Sequence, residues 1–155
     1  MFNPDVRRVH LVYPHGPSIS CPDAIGRHLA TSLAVDAEVV VHDWNDLGRL
    51  VPQPGDALIG HPHPAMGTIY RRSFWQPWTR RIVLAPYHDA EVAQVAYQDR
   101  YVRAADAYCA ITGRYWFERM AAGPLASWAE RARHLDLAVD QNDFPRIKGE
   151  FNAVG

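Results

Sequence analysis

The segment DALIGHPHPAMG (56–67) sets two histidines, His61 and His63, one residue apart, each before a proline and directly behind a short apolar run. In an extended chain, side chains at i and i+2 point the same way. The pair could then chelate a metal, but a third and fourth ligand would be needed. An imidazole at a strand end also suits a polar contact to a ligand, and a plain turn is the competing reading. His88 follows another apolar run and precedes Asp89 and Glu91; there it would hydrogen-bond a sugar hydroxyl or carry a proton, or simply mark a helix boundary. Behind the first apolar run, PHGPSIS (14–20) offers His15, Gly16, Ser18 and Ser20. A small-residue loop of this kind lets backbone N–H groups and hydroxyls approach an oxyanion or hydroxyl at a helix start, or it merely turns the chain. ITGRY (111–115) adds Thr112 at a fourth such place. The dinucleotide pattern G-x-G-x-x-G is absent, which removes the main support for an NAD-dependent oxidoreductase, and no serine, cysteine or aspartate sits in a nucleophile elbow. Phe74, Trp75 and Trp78 read as core or as a stacking surface. Arg71, Arg72, Arg80 and Arg81 read as a solvated basic face, with anion binding as the alternative.

The elements that must position these residues alternate along the chain. RRVHLVY (7–13), AEVVVH (37–42), DALIG (56–60), RRIVLAPY (80–87), DAYCAIT (106–112) and RHLDLAVD (133–140) carry strand composition. CPDAIGRHLATSLA (21–34) places Ile25, Leu29 and Leu33 at helical spacing, with Asp23 as its expected cap. Further helices are predicted over 89–105, capped by Asp89, over 113–122, and over 68–79 as far as Pro77. The 44–55 connection is expected to hold at most one short helical turn. Alternation of this kind implies βαβ units and a Rossmann-like parallel sheet with helices on both faces. In such sheets ligands bind outside the carboxyl ends of the strands, which is where all four polar segments fall.

Composition bounds the rest. The 155 residues suit one domain spanning 1–155. A net charge of −1 gives no global case for nucleic acid. Cys21 and Cys109 stand in no metal or redox spacing, so reduced thiols and a cytoplasmic setting are expected. No signal peptide or long apolar run is present in the sequence.

Several segments, taken in order, resemble the N-terminal, acceptor-side domain of a GT-B glycosyltransferase of the retaining, nucleotide-sugar-dependent group. The loop after the first strand and DAIGRHLATSLA resemble that family's first loop and its glycine–arginine helix. DALIGHPHP resembles its D-V-V-H-x-H strand end, IVLAPYHDAE its V-V-T-x-H-D, AADAYCAIT its A-D-x-V-I-x-x-S, and HLDLAVDQNDF (134–144) its G-V-D-x-x-x-F. The resemblance implies sugar transfer in a cleft between two domains, with no cofactor and no catalytic metal. It implies that His88 stands near the reacting sugar, with His61 and His63 as second choices. It further implies that His15, Gly16, Ser18, Ser20 and Thr112 contact acceptor or phosphate. The sugar-nucleotide donor would be held by a second domain, which these 155 residues do not include, so the chain alone is expected to be inactive. Peripheral membrane contact and a homo-oligomer are compatible with the resemblance. Two departures stand out: GPSIS replaces the usual double glycine, and Ala138 replaces the glycine before Val139 and Asp140. The alternative is a stand-alone flavodoxin-like module that binds a ligand or partner without catalysis.

Overall fold

The computed structural model describes residues 6–16, 20–48, 50–73, 77–86, 92–122, 126–128 and 130–136. Six strands form one all-parallel sheet: β1 (Arg8–Tyr13), β2 (Glu38–Asp43), β3 (Asp56–Gly60), β4 (Arg80–Pro86), β5 (Ala107–Ile111) and β6 (Ala132–Leu135). Their order is β2-β1-β3-β4-β5-β6. Helices α1 (Cys21–Leu33), α2 (Pro64–Arg72), α3 (Val92–Ala104) and α4 (Arg114–Ala122) connect them, with a short 3-10 turn at Ala126–Trp128 before β6. This is the Rossmann-like α/β architecture expected from the alternation.

Period-2 alternation in β1 explains the layering. Val9, Leu11 and Tyr13 point to one face, where Ile25, Leu29 and Leu33 of α1 cover them. Val12 points to the other, into a cluster with Leu58, Met66, Ile69, Val83 and Val102. That second face also receives Trp44, Leu47 and Leu50 from the β2–β3 connection, and Trp128. The division follows from right-handed crossovers: the chain steps one way from β1 to β2 and the opposite way from β3 onwards. α1 therefore lies alone on its face among the described elements. β3 is buried along its whole length because both layers close over it.

Two element boundaries differ from the sequence expectation. Ser20, not Asp23, caps α1: its Oγ accepts the Asp23 N–H at 3.3 Å. Asp23 sits in the first turn, nearly fully buried, and pairs with Arg27 at 3.1 Å. α2 begins at Pro64 rather than 68 and ends at Arg72, because His63 provides the cap and proline is well placed in a first helical turn. Gly26 is where α1 meets β1 most closely; a Cβ there would stand 2.6 Å from the Tyr13 Cβ. The 44–55 connection holds turns and a short Asp43–Asp46 bridge. No described helix is long and apolar enough to cross a membrane.

Candidate functional site

β1 and β3 are neighbours, yet the chain leaves β1 towards one face and β3 towards the other. Their carboxyl ends thus open a crevice, the switch point at which doubly wound sheets bind ligands. The structure brings His15, Gly16, Ser20, His61 and His63 to this end. His15 and Gly16 are exposed, and a Cβ on Gly16 would meet nothing within 4 Å. Ser20 uses its hydroxyl to cap α1. Ser18 and His88 lie outside the described residues.

The two histidines of the turn take different surroundings. His63 turns its Nδ1 back to accept the Ala65 N–H at 3.3 Å, capping α2, and its ring stacks on Trp44 at 4.1 Å between centroids. Burial lowers its pKa. His61 is wedged between Tyr13 and Trp44, with ring centroids 6.4 and 5.9 Å away, both edge-on. Its Nδ1 is buried and has no hydrogen-bond partner. Burial first, and the nearby His63 second, pull the His61 pKa down to about 4, so the ring is neutral at pH 7. Tyr13 is fixed by donating its hydroxyl to the Leu84 carbonyl at 2.9 Å.

Thr112 directly follows β5, two strands away from β3, and does not join the histidine corner. It is 2% exposed, and its Oγ1 is also buried without a partner. Its backbone is fully engaged: the N–H donates to Leu135 at 3.1 Å, and the carbonyl lies 2.8 Å from His134 Nε2. Among the described residues, the carboxyl edge therefore holds two unsatisfied polar atoms, on either side of the end of β4. Arg114, which opens α4 just past β5, is paired with Glu118 at 2.8 Å. Neutral imidazoles and aromatic walls suit a neutral, hydroxyl-bearing ligand better than an anion. Among the described residues, no group of three or more His, Cys, Asp or Glu is disposed to hold a metal ion.

Two features escaped the reading of the sequence. Trp44 stood in a connection without periodicity, and only its position directly after β2 could have marked it. The other is a chain of polar side chains that links β1 to β2 and β3. Asp56 Oδ2 accepts the Gln53 N–H at 2.7 Å and lies 3.1 Å from His10 Nε2, while His10 Nδ1 lies 2.9 Å from His42 Nε2. With His10 donating through Nε2 to Asp56, its Nδ1 accepts from His42 Nε2–H. Burial, with His10 as the second cause, lowers His42 to about 4. His10 stacks on His42 and meets the edge of Trp78. Trp78 donates its indole N–H to Ser73 Oγ at 2.9 Å, which makes it a packing residue; Phe74 and Trp75 lie outside the described residues. Arg81 likewise departs from a solvated face, pairing with Asp106 at 3.0 Å.

No protein-family model matches this chain, and no curated protein matches it either.

Proposed function

We propose that this chain is the acceptor-side domain of a glycosyltransferase that moves a sugar from a nucleotide-sugar donor to an acceptor. The observation that carries this reading is the buried, unpartnered Nδ1 of His61 at the β1–β3 switch point, between Tyr13 and Trp44. A neutral imidazole nitrogen that lacks a protein partner is matched by a ligand hydroxyl, and an aromatic wall suits the apolar face of a sugar ring. In this reading the acceptor lies against His61, His63 and Trp44. Gly16 leaves room for it, with His15, Ser18, Ser20 and Thr112 along the same edge. His88 would stand beside the reacting sugar. The donor would come from a second domain, so the chain alone binds an acceptor but transfers nothing.

Binding is tested by titrating the chain with neutral monosaccharides and simple glycosides while following the ring protons of His61 and His63 by NMR. Saturable shifts of His61 and His63 are expected, and those of His63 should vanish in His61→Phe. No response to any sugar would sink the reading.

The strand order favours a second reading. A 2-1-3-4-5 sequence of strands is the flavodoxin-like arrangement, with its ligand at the β1–β3 switch. A stand-alone module of that kind would bind its ligand without catalysis. Tight binding of a flavin mononucleotide at the same histidines, with no response to sugars, would decide for it.

A further inference from the structure

On one side the sheet ends at β2, which among the described residues pairs in the sheet only with β1. Its side chains are half-buried or exposed along the whole strand, whereas β3 is buried throughout. β2 faces β1 through its even positions: the Glu38 N–H donates to the Arg7 carbonyl and the Trp44 N–H to the Tyr13 carbonyl, each at 3.2 Å. Successive residues of a strand turn their N–H and C=O groups to opposite sides, so Val39 and Val41 direct theirs outward. Sheet edges are ordinarily guarded by lysine, proline, a bulge or brevity. The other edge strand, β6, is four residues long and carries the exposed Arg133. β2 has six residues without lysine or proline, and its register with β1 runs unbulged from Arg8–Glu38 to Tyr13–Asp43. Val41, near its centre, is 41% exposed.

The strand is complementary to itself. Two copies of EVVVHD placed antiparallel about a two-fold axis at Val40 set Val39 opposite Val41 of the second copy, Val40 opposite Val40, and Glu38 opposite His42. The Val39–Val41 pairs then exchange their outward N–H and C=O groups as hydrogen-bonded pairs. Consecutive valine pairs meet, and no like charges stand opposite each other. Val39 packs in the α1 layer, and Val41 shares that face by the period of two. An axis perpendicular to the sheet keeps both α1 helices on that face, so Val39 of the second copy covers the exposed Val41. On the other face, His42 spends one ring nitrogen on His10 at 2.9 Å. It comes opposite the Arg8–Glu38 ion pair of the second copy, closed at 3.0 Å, which offers its remaining nitrogen both a donor and an acceptor. We propose that β2 is a homodimer interface, where a second copy of this chain adds its own β2 antiparallel and continues the sheet across both copies. This surface is independent of the sugar reading, since it shares no residue with the histidine corner.

One strand per copy makes a small interface, so a dissociation constant on the order of 10–100 μM is expected. The test is sedimentation velocity of the full chain over a concentration series spanning that range, where a monomer–dimer equilibrium should appear. Val41→Lys and Val41→Pro should each weaken the dimer about tenfold or more. The first sets a charge against Val39 of the second copy. The second removes an outward N–H at a place where an edge strand tolerates proline. Far-UV circular dichroism verifies that both variants fold. The register is read separately from Val40→Cys in a Cys21→Ser background, which removes the exposed native thiol. The two Val40 positions form a non-hydrogen-bonded pair, whose Cβ atoms come within about 4.5–5.5 Å, so mild oxidation should yield a disulfide-linked dimer. A chain that stays monomeric throughout the series, a dimer that both folded Val41 variants leave intact, or a Val40→Cys protein that oxidation does not cross-link overturns the proposal.

Discussion

Replacing His61 by phenylalanine should make the protein more stable, and more so in acid. The ring would keep its edge contacts with Tyr13 and Trp44 while removing a buried nitrogen that has no partner. Relief of one unsatisfied polar atom stabilises by about 1 kcal/mol. The second contribution comes from protonation. Unfolded, this histidine takes up a proton near the ordinary 6.5; folded, it resists until about 4. Below 6.5 the unfolded chain therefore binds more protons, and the native state loses stability as pH falls towards 4. The full difference is worth roughly 3 kcal/mol, of which about 2.5 is lost by pH 4.5. His61→Phe lacks this loss. The gap between variant and native protein should grow from about 1 kcal/mol at pH 8 to about 3.5 at pH 4.5, or roughly 2–4 °C in Tm per kcal/mol. Urea unfolding of both proteins at a series of pH values measures it. Parallel stability profiles across pH 4.5–8, or a variant less stable than the native protein at pH 8, would refute the reasoning, because either means that Nδ1 is solvated or bonded. Loss of sugar binding in the same variant would mark His61 as a residue kept for ligand at a cost in stability.

Other substitutions test the frame around the site. Gly26→Ala should destabilise by about 1–3 kcal/mol despite the roughly 1 kcal/mol of helix propensity it gains, because its Cβ meets Tyr13 at 2.6 Å; thermal melts measure it. Ser20→Ala should cost about 1 kcal/mol through the lost α1 cap, seen as a lower urea midpoint with an unchanged slope. Asp56→Ala should cost about 2–4 kcal/mol, since it removes the buried acceptor shared by His10 and the Gln53 N–H. A His10 ring spectrum identical to that of the native protein would contradict that network. Trp44→Leu should leave the sheet intact but shift the His63 ring protons downfield by removing the stacked indole, read in a proton spectrum.

The sequence by itself determined the alternation of strands and helices, the layer each strand residue joins, and the edge on which His15, His61, His63 and Thr112 end. These depend on periods of 2 and 3.6 and on the turns between runs, which are local properties of the chain. Local competition already blurred some boundaries. Ser20 and Asp23 are both good caps, and the serine wins because the aspartate is then in place to be buried beside Arg27. The HPHP turn read as a stop, whereas His63 and Pro64 start a helix. Tertiary structure alone decided the strand order, and with it everything that depends on neighbours distant in sequence. His10 reaches His42 and Asp56 across 32 and 46 residues, and Trp44 meets His61 and His63 only because β1 lies between β2 and β3. Desolvation works the same way. A histidine's type says that it can titrate near neutrality, but only the side chains packed around it set how much water it keeps, and that is what holds His61 neutral and without a partner.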